Sequence, residues 1–201
     1  MTTTEMIPEE VMQQGKRILL FPKPKTKSIH CQKVVYYANL LQELLEQKEG
    51  LTKQMTETAK ELDDFEIYQS IPGIGAVTAA LLLGELGDLR CFKTNKQLNA
   101  YVGIDIRHYQ SGKYLGKDHI NKRGNAKARK ILFFTIRNMI SQQKAASNHV
   151  VDYYYKLKKQ PLPKKDKVAI VACINKLLKC AHSMIRTGTR YAYAYTVSVD
   201  K

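Results

Sequence analysis

Ser111 is the residue whose neighbours best equip it for chemistry. It stands between Gln110 and Gly112 in the stretch GIDIRHYQSGKYLGKDHINKRGNAKAR, from Gly103 to Arg129. A serine attacks a phosphodiester only with an activating partner and with cations around the oxygens that gain charge. Arg107, Lys113, Lys117, Lys122 and Arg123 surround it in sequence, and Lys127, Arg129 and Lys130 extend the series into the segment that follows. Arginine suits the task best, because its planar fork matches two phosphate oxygens. Nine Lys and Arg lie from Arg107 to Arg137 against the single acid Asp118. So charged a stretch is surface, and its glycines let backbone N–H groups come close to an anion. A Ser-Gly pair in a loop also serves as a plain turn, so both readings of Ser111 stand at this level.

Other reactive types give less. Tyr109 and Tyr114 flank the serine and could form a phosphotyrosine link, but tyrosines beside cations also stack on bases or edge a core. The run Tyr153-Tyr154-Tyr155 divides between the core and surface faces of one helix. His108 and His119 are eleven apart with no further ligand-like neighbours, which argues against a metal site there. Metal-assisted phosphoryl transfer needs several carboxylates. From residue 105 onward only Asp105, Asp118, Asp152, Asp166 and Asp200 are present. No Walker-type phosphate loop occurs.

Charge divides the chain in two. Residues 1–104 carry twelve Lys/Arg and thirteen Asp/Glu, for −1; residues 105–201 carry twenty-one and five, for +16. The whole excess lies in the second half, as for a polyanion partner whose counterions are released on binding. The four cysteines, Cys31, Cys91, Cys173 and Cys180, show no zinc-type pair, which suits a reducing, cytoplasmic setting. The N-terminus lacks a secretory layout, and no uninterrupted apolar run reaches the roughly 18 residues of a membrane span.

The elements that position Ser111 read as helices, predicting an all-α fold. Residues 1–32 form a tail in this reading. Residues 33–65 form a long helix, with Val34, Ala38, Leu41, Leu45, Lys48, Thr52, Met55, Ala59 and Leu62 on a stripe and Tyr37, Leu44, Leu51, Thr58 and Phe65 repeating at sevens. That stripe suits pairing with a second copy or packing on its own domain, and Lys48, Thr52 and Gly50 make it weaker than a dedicated zipper. A compact helical domain spans 66–187, and 188–201 form a second tail. Ser70-Ile-Pro-Gly-Ile-Gly followed by AVTAALLLGEL resembles a helix-hairpin-helix element, in which Gly73 and Gly75 would let backbone amides hold a phosphate. A tight turn that contacts nothing fits those residues equally well. Thr94 caps a short helix ended by Gly103, and Asn125 opens a helix of roughly twenty residues. Ser147 or Asn148 starts another helix, ended by Gln160-Pro-Leu-Pro, and Asp166 caps the last one, closed near Gly188.

Taken together, IPGIG, the ELGD turn, YVGI, QSG and the KRGN helix start resemble the C-terminal domain of the IS-one-ten family of insertion-sequence transposases. The likeness runs from about Phe65 to Met184, with the helix at 33–65 in the place of that family's coiled coil. It implies a recombinase in which Ser111 is the nucleophile that forms a transient phosphoserine link to DNA. The surrounding cations would bind DNA or guide-RNA backbone, and the helix at 33–65 would pair copies. It further implies that Mg²⁺ is held not by this chain but by a carboxylate-bearing RuvC-like domain ahead of the coiled coil. Here only about 32 dissimilar residues precede the helix, so the expectation is a chain inactive alone. A non-catalytic nucleic-acid-binding module, or a relic of the transposase, is the alternative. No membrane partner is expected.

Overall fold

A computed structural model describes residues 29–107, 110–111, 114–116, 119–159 and 161–193, without the side chains of Cys31, Ser111, Tyr114 and Leu115. The expected tails at 1–32 and 188–201 fall mostly outside those residues. The chain divides into two compact units, residues 1–50 and 51–201. The first is described from Ile29, where helix α1 (Ile29–Lys60) begins. Along this part of α1, Val34, Tyr37, Leu41, Leu44 and Leu45 are all exposed.

The helix expected over 33–65 thus starts earlier and stops at Lys60. Glu61 and Leu62 donate to the carbonyls of Thr58 and Ala59, three residues back, which tightens and ends the last turn. Phe65, expected on the heptad seam, instead lies in α2 (Asp64–Gln69) and is buried in the core. Asp64 holds this break: its carboxylate takes both guanidinium nitrogens of Arg90, at 2.7 and 2.8 Å. That hydrogen bond raises the Arg90 pKa further above its ordinary value.

The second unit is all-α around one helix. After α2 come α3 (Ala76–Leu86), a 3-10 turn (Leu89–Cys91), α4 (Asn95–Val102), α5 (Ala126–Ser141), α6 (His149–Lys159) and α7 (Asp166–Thr187). Ile170, Cys173, Ile174, Leu177, Leu178, Ala181 and Ile185 recur at three- and four-residue spacing on α7, and all are buried. Through them α7 packs on α2, α4, α5, α6 and the 3-10 turn. By length and mean hydropathy α7 is apolar enough to cross a bilayer, although Lys176 and Lys179 interrupt its run. Half of that apolar window is covered by its neighbours in the fold.

The helix ends follow local chemistry. Thr94 and Gln97 form a reciprocal capping box on α4, and Gly103 ends it with φ +77°. Asn125 caps α5 through the amides of Lys127 and Ala128. Asn148, rather than Ser147, turns its side chain to the Val150 amide at the start of α6. Asp166 does not cap α7. It is the first helical residue, after Lys165, and accepts a 2.6 Å bond from the Tyr154 hydroxyl. That bond, with partial burial, pushes the Tyr154 phenol up to about 12.

The IPGIG hairpin is held against the far end of α5. Ile71 and Ile74 are buried, and the Asn148 amide donates to the Pro72 carbonyl at 2.9 Å. Gly73 has φ +90°, and a Cβ there would stand 2.7 Å from Met139 Cγ and 3.0 Å from Met139 Cα. Gly75 is exposed, with open space where a Cβ would go. Gly73→Ala is therefore expected to cost about 1–3 kcal/mol through backbone strain and overpacking. Gly75→Ala should cost well under half as much. Urea denaturation followed by circular dichroism checks this, and equal losses would contradict the packing role of Gly73.

Candidate nucleic-acid interface

The basic stretch is a nested pair of short antiparallel ladders. The outer one joins β1 (Ile106–Arg107) to β4 (His119–Ile120), with Arg107 opposite His119. The inner one joins β2 (Gln110–Ser111) to β3 (Tyr114–Leu115), with Ser111 opposite Tyr114. Two-residue strands are too short to show a period-two pattern, so the sequence reads only as turns. Ser111 thus occupies the inner ladder, beyond the pair that joins the two stems.

The stems meet in a knot between α4 and α5. Gly103 and Gly124 face each other so closely that neither has room for a side chain. A Cβ on Gly103 would lie 2.7 Å from the Gly124 nitrogen, and one on Gly124 would collide with the carbonyl oxygen of Tyr101. Asn125 locks the contact with every polar atom it has. Its backbone N–H donates to the Tyr101 carbonyl at 2.7 Å, its Oδ1 caps α5, and its Nδ2 donates to the Glu85 carboxylate at 2.9 Å. The Tyr101 hydroxyl donates to the Glu85 carbonyl at 3.0 Å. The ends of α3 and α4 and the start of α5 are thereby fixed at one point.

Above the knot, the stems are tied again. The Asn121 N–H donates to the Asp105 carbonyl, and Asn121 Nδ2 donates to the Asp105 carboxylate at 3.1 Å. The Lys122 N–H reaches the Gly103 carbonyl at 3.0 Å, with Lys122 itself at φ +62°. A lysine in that left-handed region is uncommon and is held there by this bond. Asp105 Oδ1 and Asn121 Oδ1 are buried without a hydrogen-bond partner among the described residues.

The cations divide into two kinds. Arg107, Lys122, Arg123, Lys127 and Lys130 are exposed on β1, the returning stem and the first turns of α5. Arg129 is half-buried, and its guanidinium donates to the Val102 carbonyl at 2.7 Å, so it braces the α4 end from behind. Lys113 and Lys117 lie outside the described residues, as do His108 and Tyr109. Gly73 and Gly75 are not brought to this site. Met139, against which Gly73 packs, stands thirteen residues along α5 from Ala126, about 20 Å at the helical rise.

The remaining reactive groups are committed elsewhere. The Cys173 thiol is pushed up to about 12 by burial, and burial also raises that of Cys180, which lies 3.0 Å from His149 Nε2. Among the described residues no three His, Cys, Asp or Glu group closely enough to hold a metal ion. The geometry therefore offers exposed cations of the kind that can pair with phosphates, and a serine-bearing strand whose stems are fixed at their base. Sequence reasoning placed the cations but missed the parts played by Glu85 and Gly124. A glycine two residues before a helix carries no sign of what it faces.

Residues 66–151, from α2 to the start of α6, match the family described as transposase IS116/IS110/IS902. Among curated proteins, the transposase for insertion sequence element IS1111A of Coxiella burnetii is 32% identical over 108 residues, which is 52% of this chain and 30% of that protein. The transposase for insertion sequence element IS1328 of Yersinia enterocolitica is 28% identical over 164 residues, 78% of this chain and 48% of its own length. The pilin gene-inverting protein of Moraxella bovis is 31% identical over 121 residues, covering 60% and 36%. The chain spans between about a third and a half of the length of these relatives.

The knot makes Gly124 the least replaceable residue of the site. Gly124→Ala is expected to cost about 3 kcal/mol or more, because the clash is with backbone that cannot swing away. Asn125→Ala, which leaves the Glu85 carboxylate and two α5 amides without this partner, should cost about 1–2 kcal/mol. Thermal denaturation of both variants measures this, and a Gly124→Ala protein as stable as the parent would contradict the contact.

Proposed function

Starting from the transposase domain of the IS116/IS110/IS902 family that this chain carries, we propose that it binds DNA through the cations of 107–130. Ser111 serves as the nucleophile for strand exchange. In this reading the serine oxygen bonds to a DNA phosphorus while the bond to the departing deoxyribose oxygen breaks, and that oxygen takes up the proton. The product is a phosphoserine link that a second strand end resolves by the reverse step. Arg107, Lys113, Lys117, Lys122, Arg123, Lys127 and Lys130 neutralise the phosphates, and Arg129 keeps the base of the loop in place. Mg²⁺, held by a carboxylate domain supplied by another segment, would provide the Lewis acid. A guide RNA would select the DNA, residues 33–65 would pair two copies, and the setting is the cytoplasm.

The observation that carries the reading is the pinned ladder pair. A nucleophile that must meet a phosphorus in line needs a support with little freedom. The Gly103–Gly124 knot and the Asp105–Asn121 tie fix the two stems from which the Ser111 ladder extends, in the half of the chain that bears the +16 excess. The relatives' printed roles as transposases and as a gene-inverting protein agree with strand exchange.

The test mixes the chain with a family carboxylate domain, guide RNA, Mg²⁺ and target DNA, and looks for a covalent protein–DNA adduct on a denaturing gel. The parent should form it, and Ser111→Ala should lose it while binding DNA with unchanged affinity. An adduct that survives in Ser111→Ala removes the serine assignment. No adduct in either protein, with steeply salt-dependent binding in both, favours a nucleic-acid-binding module without catalysis.

A further inference from the structure

At the C-terminal end of α5, an open cavity of about 810 Å³ is lined by Gln143, Asp152, Tyr155, Lys156 and Lys159. Its size falls within the roughly 300–1,000 Å³ of small-ligand sites. Four of the five residues stand at i, i+3, i+4 and i+7 on α6, so they share one face of the helix. Val150, Val151 and Leu157 occupy the buried face. The run of three tyrosines is thereby sorted. Tyr153 lies beneath the Lys176 ammonium, Tyr154 is bonded to Asp166, and Tyr155 borders the cavity. A helix dipole accounts for lysines in a last turn. It does not account for their row with an aromatic ring and an amide around one cavity.

The chemistry of the lining is ordered along the helix. Lys156 and Lys159 are exposed at one end and, among the described residues, neither makes an ion pair. Asp152 stands at the other end, seven residues from Lys159, or about 10 Å along the axis. Its carboxylate accepts a 2.9 Å bond from the Tyr193 hydroxyl. Tyr155 lies between, half-buried and edged by Tyr154 at 85°, which fixes its ring. Phosphate at the lysines, a base on the ring, and a sugar hydroxyl or exocyclic amine towards Asp152 would use all four lining residues of α6. An acidic peptide would use only the lysines.

We propose that this cavity is a second nucleic-acid site, seating one nucleotide of a single strand with its base on Tyr155 and its phosphates on Lys156 and Lys159. It rests on the reading of this chain as a nucleic-acid-binding protein, and it is separate from the Ser111 loop. α5 has sixteen residues, so its two ends lie about 24 Å apart, with the loop at one and the cavity at the other. A strand engaged at both would be tethered, and its second contact would form at high effective concentration.

The experiment uses the full chain with fluorescent oligothymidylate and oligouridylate of about twenty nucleotides, longer than the roughly 4–16 that single-strand binders cover. Lys156→Gln/Lys159→Gln is compared with Lys53→Gln/Lys60→Gln, which alters net charge equally on exposed residues of α1. The cavity variant should bind about tenfold more weakly than this control. The slope of log affinity against log salt should fall by about 1.4, for two lost phosphate contacts at about 0.7 each. Irradiating an iodouracil-bearing oligonucleotide should cross-link the peptide that contains Tyr155. Preference for the deoxy or the ribo strand identifies whether DNA or RNA is the natural occupant. If the parent binds and the two double variants match, the cavity site is overturned and the loop reading stands. If the parent binds neither strand even in low salt, the cavity site falls, and if it also binds no DNA duplex of the same length, the loop reading falls with it.

Discussion

Everything at the basic end of this protein depends on two glycines that touch. The Gly103–Gly124 contact leaves no volume for a side chain on either residue, so α4 and α5 meet backbone to backbone. Only such an approach brings the Asn125 amide within reach of the Tyr101 carbonyl and the Asn125 side chain within reach of Glu85. The hydrogen bonds then make a close contact also a fixed one. A loop rich in like charges repels itself and would otherwise spread. Here its two stems leave from a single locked point, which turns a flexible basic stretch into a presented one.

The same helices separate two kinds of work. The start of α5 carries exposed cations and the loop, while its far end packs Met139 on Gly73 and borders the cavity of α6. The IPGIG hairpin, which looks in sequence like a phosphate-binding turn, spends its first glycine on packing. Its neighbours Ile71 and Ile74 are core, and Pro72 is held by Asn148. Acidic residues gather nearby at Asp64, Glu66 and Asp88, with Arg90 and Arg190 as their partners. Charge is thus sorted by place: these three acids bind arginines of the same chain, and most of the described lysines of the second half are exposed.

How much of this was legible in the sequence depended on the range of the interaction. Most local signals were accurate: Thr94, Gly103, Asn125 and Gly188 mark helix ends through contacts within a few residues, whereas Asp166, read as a cap, is the first residue of α7. Periodicity found the buried face of α7 for the same reason. Signals that need a distant partner were silent. Nothing around Gly124 announces Tyr101, nothing around Phe65 says that Asp64 will bind Arg90 and break the long helix, and Arg129 reads like its neighbours although it turns inward. The two ladders escaped because pairs of two residues have no pattern of their own.

α7 follows the other helices among the described residues, and it is also the one around which α2, α4, α5 and α6 assemble. Synthesis runs in the opposite order to need. When the ribosome has completed Ser141, α2, α3, α4 and α5 can pack on one another, but the faces of α2, α4 and α5 that meet α7 wait for residues 166–187. The domain therefore closes only once α7 has left the ribosome, and until then its nascent form exposes the apolar faces that α7 will cover. Messenger and ribosomal RNA are the first polyanions within its reach.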